Sequence, residues 1–220
     1  VERACAEIIG RHDTVSHEPR DVVVYGFGRI GRLLTRLLVE KAAGGQNLVQ
    51  RAVVLRPPKH PVEDLYKRAS LLRRDSVHGS FKGTIRVDEE SHVLICNGNA
   101  IRFIYASDPS AIDYTQYGID KALIIDSTGV WRDRKGLELH LQAKGADKVL
   151  LTTSGKGDVV NIVSGTNSDL LTSEDNIVAA ASCTTNAIVP VLKCMNDHFG
   201  IVRGHMETVH AYTDDQNLHD

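Results

Sequence analysis

Cys183 is the residue of this sequence best suited to covalent chemistry. It lies in the polar run Ser182-Cys183-Thr184-Thr185-Asn186, between a strand predicted over 177–181 and a helix that follows. A cysteine at the start of a helix is favoured as the thiolate by the helix dipole and by unpaired N–H groups. His210, on a predicted extended stretch over 203–212, is a candidate general base for that sulfur.

The alternative for any single cysteine is a thiol packed in the core. That is our expectation for Cys5, Cys96 and Cys194, whereas the ring of hydroxyl and amide side chains sets Cys183 apart.

A glycine-rich turn provides the second chemical signal. Residues 26–31 read GFGRIG, directly after the β-branched run Val22-Val23-Val24-Tyr25 and at the start of an apolar-periodic helix. In a strand–turn–helix unit this pattern lets the backbone approach a pyrophosphate, which the helix N-terminus then binds. The predicted cofactor-binding residues are Gly26, Phe27, Gly28, Arg29, Ile30 and Gly31.

The residue that usually selects NAD is missing. Rossmann domains that prefer NAD carry an acidic residue roughly 20 positions after the glycines, bonded to the ribose 2′-hydroxyl. No Asp or Glu occurs between Glu40 and Glu63, and the second predicted strand ends at Leu55-Arg56-Pro57. Arg56 is therefore either a contact for the 2′-phosphate of NADP or a solvated charge at a strand end, and the sequence leaves both open.

The elements that must position these residues alternate between strands and helices. Strands are predicted at 22–25, 48–55, 122–125 and 148–151, with helices beginning near Ile30 and Val62 and after Gly129, the last running to about Lys144. Asn97-Gly98 predicts a hairpin between 93–95 and 101–105. The pattern predicts an α/β fold with a Rossmann-type, doubly wound and mostly parallel sheet. Residues 1–20 are polar and predict a linker or the end of an upstream extension.

Composition excludes several classes of protein. The formal net charge of −2 gives no basic surplus for nucleic acid, and no apolar run reaches the roughly 18 residues of a membrane span. The 4 cysteines form no CxxC pair, which favours reduced thiols in the cytoplasm over a disulfide scaffold. No metal-binding spacing occurs, so we expect no metal. The chain does not begin with Met and looks like a fragment.

Five motifs occur in one order: 25–32 (YGFGRIGR), 75–79 (DSVHG), 127–130 (STGV), 182–186 (SCTTN) and 208–213 (TVHAYT). Together they resemble the glyceraldehyde-3-phosphate dehydrogenase family over residues 21–220. Tyr25 in place of the usual Asn, with the upstream segment, resembles a longer bacterial subclass that has an N-terminal extension.

The resemblance implies a reaction and a role for each matching residue. Cys183 would attack the aldehyde of glyceraldehyde 3-phosphate to give a thiohemiacetal, with His210 accepting the proton. Hydride transfer to NAD or NADP would leave a thioester, which inorganic phosphate converts to 1,3-bisphosphoglycerate in glycolysis or gluconeogenesis. Phosphate binding is implied for Ser182, Thr184 and Thr213, and cofactor contacts for Arg29, Ile30, Ser127 and Thr128.

The resemblance also implies the organisation of the protein. Residues 1–20 would be the remnant of an extension, 21–182 an NAD(P)-binding Rossmann domain, and 183–220 the truncated start of an α+β catalytic domain. A full-length cytoplasmic homotetramer is expected, and the fragment alone is not expected to turn over substrate.

Two departures from the family leave questions open. The usual Asn-Asp after the second strand is absent, and Ser107 precedes Asp108-Pro109 where members often carry Arg. The alternatives are an erythrose-4-phosphate dehydrogenase and a nucleotide-binding module without catalysis.

Overall fold

The computed structural model of the chain describes residues 19–42 and 47–209. The predictions for Cys5, His210 and Thr213, and almost all of those for residues 1–20, lie outside the described residues.

A single mixed sheet forms the centre of the described part of the chain. In order along its width, the strands are β10-β11-β9-β8-β1-β2-β7-β6-β5. Their bounds are β1 Arg20–Tyr25, β2 Leu48–Leu55, β5 Ile85–Asp88, β6 Val93–Cys96, β7 Asn99–Tyr105, β8 Ala122–Asp126, β9 Ala146–Leu151, β10 Val160–Asn161 and β11 Ile177–Ala179; β3 Arg74–Asp75 and β4 Gly79–Ser80 pair separately. The strands from β10 to β7 are parallel, and β6 and β5 are antiparallel additions.

The order of the strands reverses at β1. Chain order runs outward from β1 to β2 and β7 on one side, and from β1 to β8, β9 and β11 on the other. Ligands of doubly wound sheets bind where the order reverses, beyond the carboxyl ends of the strands. The predicted α/β fold with a Rossmann-type, mostly parallel sheet is confirmed, and the glycine-rich turn lies at this reversal point.

The central strands are buried on both faces, which explains their continuous apolar runs. Val22, Val23 and Val24 of β1 have no solvent exposure. Alternate side chains enter two separate cores, Val23 and Tyr25 on one face and Val24 on the other. The cores hold the edge of the sheet where β1, β2 and β8 end in a fixed arrangement.

The described ranges contain the α-helices α1 Arg29–Ala42, α2 Pro61–Arg73, α3 Arg134–Leu141 and α4 Cys183–Phe199. The first three pack against strands of the sheet, whereas α4 follows β11 and has no buried residue. Pro61 occupies the start of α2, where its missing N–H costs nothing. Asp133 caps α3 by accepting a hydrogen bond from the Gly136 amide at 2.9 Å.

The hairpin prediction is confirmed. Asn97 and Gly98 both adopt positive φ, at 47° and 84°, between the antiparallel strands β6 and β7. Positive φ at both central residues is what a type I′ turn requires, and Asn-Gly tolerates it best.

Several element boundaries were predicted wrongly. The helix expected from Gly129 to about Lys144 is limited to Arg134–Leu141, because Asp133 caps a later start and Lys144 forms a parallel bridge with Asp113 instead. The strand expected to reach residue 181 ends at Ala179, because Ala181 turns the chain with φ of 60°. Residues 203–209 of the stretch expected to be extended are exposed and pair with no described strand.

Candidate functional site

Two glycines of the turn have no room for a side chain. Gly26 has φ of 94°, and a Cβ there would lie 2.8 Å from Cγ2 of Thr128. A Cβ on Gly31 would lie 2.4 Å from the carbonyl oxygen of Gly26 and 2.8 Å from Oγ of Ser127. All three distances are far shorter than a van der Waals contact, so a side chain at either position would distort the turn and its packing against the 127–129 loop.

Gly28 is different, because a Cβ there would meet no atom within 4 Å. It precedes α1, whose first-turn N–H groups have no acceptor within the helix and carry the positive end of the dipole. The space beside Gly28 is therefore open to an anionic group on the helix axis.

The other residues of the turn have unequal access to that space. Ile30 is half exposed, and Nε of Arg29 lies 3.8 Å from a carboxylate oxygen of Asp75. The Phe27 side chain is buried and packs edge-on against Phe103, with ring centroids 5.3 Å apart. Phe27 can therefore reach a ligand only through its backbone.

The loop after β8 lies against the glycine turn. Ser127 Oγ donates to the carbonyls of Gly26 at 3.0 Å and Tyr25 at 3.2 Å, and the Ser127 amide donates to Tyr25 at 2.8 Å. Ser127 therefore fastens the two loops together, whereas Thr128 lines the cavity between them.

A buried pair behind this loop was missed by sequence reasoning. Oδ1 of Asp126 accepts hydrogen bonds from both the amide and the hydroxyl of Thr128 at 2.7 Å. Oδ2 of Asp126 lies 3.0 Å from Nε2 of His140, and both side chains have no solvent exposure. The pair sets the position of Thr128 from within the core. A hydrophilic residue ending a buried strand was the only sequence signal for it.

Tyr25 connects the pair to the cavity. Its ring packs edge-on against His140 and Trp131, with centroids 4.7 and 5.6 Å away. Burial of the phenol, followed by the negative charges of Asp126 and Asp108, raises the pKa of Tyr25 to about 12, so it remains a neutral hydroxyl.

A cavity of about 310 Å³ opens where β1, β2 and β8 end. Arg56, the predicted cofactor contact, follows β2 directly and lines this cavity together with Tyr25, Gly26 and Thr128. The structure therefore brings the glycine turn, the 127–129 loop and Arg56 to one place.

Cys183 is the first residue of the 17-residue helix α4 and is exposed. Ser182 caps the helix, its Oγ accepting from the amide of Thr185 at 3.0 Å and lying 3.1 Å from Oγ1 of Thr184. Asn186 Nδ2 donates to the carbonyls of Ala180 and Ser182 at 2.7 and 2.9 Å. These bonds hold the sulfur at the positive end of a helix, as the sequence predicted.

The turn into α4 contains a residue in an unfavourable conformation. Ala181 is buried and has φ of 60°, in the left-handed region that non-glycine residues rarely adopt. It lies between the end of β11 and Ser182. Because β11 is parallel to β9, β8 and β1, Cys183 follows the same edge of the sheet as the glycine turn. β11 is three positions from β1 in the sheet, about 14 Å at ordinary strand spacing.

The other described cysteines differ from each other. Cys96 is fully buried, as expected for a core thiol, and burial raises its pKa to about 11. The same expectation is wrong for Cys194. It is exposed, as are its neighbours on α4, a helix in which no described residue is buried.

Two negative findings apply to residues 19–42 and 47–209. No group of three or more His, Cys, Asp or Glu side chains there could hold a metal ion. None of the helices described is long and apolar enough to cross a membrane.

Comparison with known proteins places these features in a family. Residues 20–134 match the family model "Glyceraldehyde 3-phosphate dehydrogenase, NAD binding domain", and residues 182–220 match the corresponding C-terminal domain. The first match alone covers more than half of the chain. The chain belongs to the glyceraldehyde-3-phosphate dehydrogenase family.

Curated relatives agree with this membership. The chain is 58% identical over 220 residues to a "Glyceraldehyde-3-phosphate dehydrogenase-like protein" of Pseudomonas aeruginosa, covering 100% of the chain and 47% of that relative. It is 42% identical over 199 residues to the glyceraldehyde-3-phosphate dehydrogenase of Thermotoga maritima, and 38% identical over 199 residues to that of Streptococcus pyogenes. These alignments cover 90% of the chain, and 56% and 55% of the two relatives. The chain thus spans about half the length of the curated relatives it matches.

The described residues fit the NAD(P) cofactor of this glyceraldehyde-3-phosphate dehydrogenase family. The open space beside Gly28 faces a helix N-terminus suited to a pyrophosphate, and the cavity at Arg56 lies at the ends of β1 and β2, where an adenosine binds in this fold. Residues 20–134 are therefore an NAD(P)-binding domain of the family.

Proposed function

We propose that the protein catalyses the phosphorylating oxidation of glyceraldehyde 3-phosphate to 1,3-bisphosphoglycerate with NAD(P), as a step of glycolysis or gluconeogenesis. The observation that carries the proposal is the place of Cys183. It is an exposed thiol at the N-terminus of α4, on the same sheet edge as the glycine turn of a family-matched NAD(P)-binding domain.

The sulfur begins the reaction by attacking the carbonyl carbon of the aldehyde. The helix N-terminus stabilises the thiolate, and His210 accepts the proton and returns it to the carbonyl oxygen to give a thiohemiacetal. When bound, NAD(P) accepts the hydride that leaves the former aldehyde carbon. His210 removes the hydroxyl proton in that step, which leaves a thioester on Cys183.

Inorganic phosphate completes the turnover. A phosphate oxygen attacks the thioester carbon, the carbon–sulfur bond breaks, and Cys183 leaves as a thiolate with the acyl phosphate as product. Ser182, Thr184 and Thr213 are proposed to bind the phosphate groups. The hydroxyls of Ser182 and Thr184 lie 3.1 Å apart at the start of α4, which supports a shared anion site there.

The wider proposal concerns the organisation of the protein. Residues 1–20 are proposed as the remnant of an extension, 21–182 as the Rossmann domain and 183–220 as the start of the catalytic domain. A homotetramer in the cytoplasm is proposed from the family resemblance and from the need to keep the catalytic thiol reduced.

Substitution of the nucleophile tests the proposal. In the full-length protein, Cys183→Ser is expected to lower kcat with glyceraldehyde 3-phosphate, phosphate and NAD(P) by at least about a thousandfold, with nucleotide affinity unchanged. Cys194→Ser, which removes an exposed thiol from the same helix, is the matched control and should retain activity. Turnover by Cys183→Ser at the rate of the control would refute the role of the thiol.

Substrate kinetics distinguish the proposed activity from the alternative activities. A higher kcat/KM with erythrose 4-phosphate and no dependence on inorganic phosphate would favour an erythrose-4-phosphate dehydrogenase. Nucleotide binding without turnover of either sugar phosphate would favour a binding module.

A further inference from the structure

Arg56 lies at the end of β2, the position at which Rossmann domains distinguish NAD from NADP. It follows Leu55 at the carboxyl end of β2, is exposed, and makes no ion pair with any residue in 19–42 or 47–209. An acidic residue at this position would accept a hydrogen bond from the ribose 2′-hydroxyl of NAD. Arg56 has no acceptor atom, so it cannot make that bond.

A second arginine reaches the same cavity from α2. Arg68 Nε donates to both carboxylate oxygens of Asp64, at 3.1 and 3.3 Å, and this pair orients the guanidinium. The Arg68 side chain is only 26% exposed, and it lines the same cavity as Arg56. The two terminal nitrogens of Arg68 make no hydrogen bond to a residue in the described ranges.

The rest of the cavity suits a phosphate ester on a ribose. Ser107 and Gly26, the first residue of the glycine turn, also line it. Asp108 is the acidic residue next to it, but its Oδ1 already accepts bonds from the amide and hydroxyl of Ser110, at 2.9 and 2.8 Å. Two arginines with free N–H donors therefore face a volume of about 310 Å³ beside the expected ribose.

We infer that Arg56 and Arg68 bind the 2′-phosphate of NADP, so that the protein prefers NADP to NAD. The inference rests on the proposed function only in requiring that the glycine turn binds a dinucleotide. Its physical basis is that a dianionic phosphate gains charge-assisted hydrogen bonds from guanidinium groups that a 2′-hydroxyl does not gain.

Binding measurements test the subsite without any turnover. Titration calorimetry compares adenosine 2′-monophosphate with adenosine 5′-monophosphate, and NADP⁺ with NAD⁺, on the unaltered protein. The 2′-phosphate ligand of each pair is expected to bind at least about tenfold more tightly, the value of one hydrogen bond to a charged group. The difference should shrink as salt rises from low to physiological concentration.

Variants assign the effect to the arginines. Arg56→Gln is expected to weaken NADP⁺ binding at least about tenfold and to leave NAD⁺ binding within about twofold. Arg56→Asp should reverse the preference, because it restores an acceptor for the 2′-hydroxyl and repels a phosphate. Arg68→Gln should weaken NADP⁺ selectively too. Arg86→Gln, an exposed arginine on β5 outside the cavity, is the matched control and should change neither affinity.

The outcomes distinguish this inference from the proposed function. Equal or tighter binding of NAD⁺ by the unaltered protein, or loss of both affinities alike in Arg56→Gln, would overturn the 2′-phosphate site while leaving a dinucleotide enzyme. Failure of all four nucleotides to bind would overturn the proposed function itself. Circular dichroism of each variant checks that a lost affinity does not come from unfolding.

Discussion

Removal of the His140 side chain tests whether the buried pair behind the nucleotide loop supports the fold. In His140→Ala, Oδ2 of Asp126 loses the ring nitrogen that lies 3.0 Å away. Neither side chain has any exposure, so water cannot replace the lost partner without opening the core. The imidazole also packs edge-on against Tyr25 and Trp131, so its loss leaves a cavity between them.

The expected cost follows from these two losses. Leaving a buried acceptor without its partner costs about 1–3 kcal/mol, and truncating a large buried ring to alanine costs about 3–5 kcal/mol through the cavity that it leaves. We expect His140→Ala to lower the free energy of unfolding by about 3 kcal/mol or more. That is a large part of the stability of an ordinary domain.

Urea unfolding of the protein and its variants provides the assay. His198→Ala is the matched control, since His198 is exposed on α4 and its only described side-chain bond, from Nδ1, is to the carbonyl of Cys194. The control is expected to change stability by no more than about 0.5 kcal/mol. In a double-mutant cycle with Asp126→Asn, the two substitutions should be strongly non-additive, because the second removes a partner already lost.

Nucleotide affinity gives a second readout of the same pair. Asp126 holds Thr128 through two bonds of 2.7 Å, and Thr128 lines the cavity. Under conditions where the variant remains folded, His140→Ala should therefore also bind NAD(P) more weakly. A loss of stability below about 1 kcal/mol, or additivity in the cycle, would refute the role we assign to the pair.

Three further predictions concern the turn, an acidic residue and the cysteines. Gly31→Ala should destabilise the protein by about 1–3 kcal/mol, since its Cβ would lie 2.4 Å from a backbone oxygen. Gly28→Ala should mainly weaken NAD(P) binding, because a Cβ there meets no atom within 4 Å. Equal unfolding midpoints for the two variants would contradict this difference. Hydrogen bonds from the amides of His78 and Val77, and then from the His78 ring, hold the pKa of Asp75 well below its ordinary value of about 3.9, so its stabilising effect is complete above about pH 5 and lost as the pH falls further. The stability difference between the protein and Asp75→Asn should accordingly shrink as urea titrations move from pH 7 to pH 3. At pH 8 a maleimide should modify exposed Cys183 and Cys194 well before Cys96, because the Cys96 thiol is buried and burial raises its pKa to about 11. Mass spectrometry of the early labelled peptides checks the order, and labelling of Cys96 first would contradict its buried position.

The sequence predicted those parts of the fold that local rules control. The β-branched run before the glycines, the apolar stripe of α1 and the Asn97-Gly98 turn each depend on residues within a few positions of one another. The same holds for the start of α4, where Ser182 has the side chain and the spacing of a helix cap. Local rules also located the glycine turn and Cys183 correctly at the ends of their strands.

The parts that could not be predicted depend on contacts between distant segments or on strain. Asp126 and His140 belong to no spacing motif, and only the packing of α3 on the sheet brings them together. Ala181 gives no sign in the sequence of a φ of 60°, because alanine adopts that conformation only when surrounding contacts impose it. Both features act on the positions of other residues, Thr128 in one case and Cys183 in the other. Sequence motifs therefore identified the candidate ligand-binding groups, whereas the groups that hold them in place emerged only from the three-dimensional contacts. Arg56 and Arg68 show the same division. The sequence identified Arg56 because no acidic residue follows the second strand, whereas Arg68 was identified only from its position in α2 beside the same cavity.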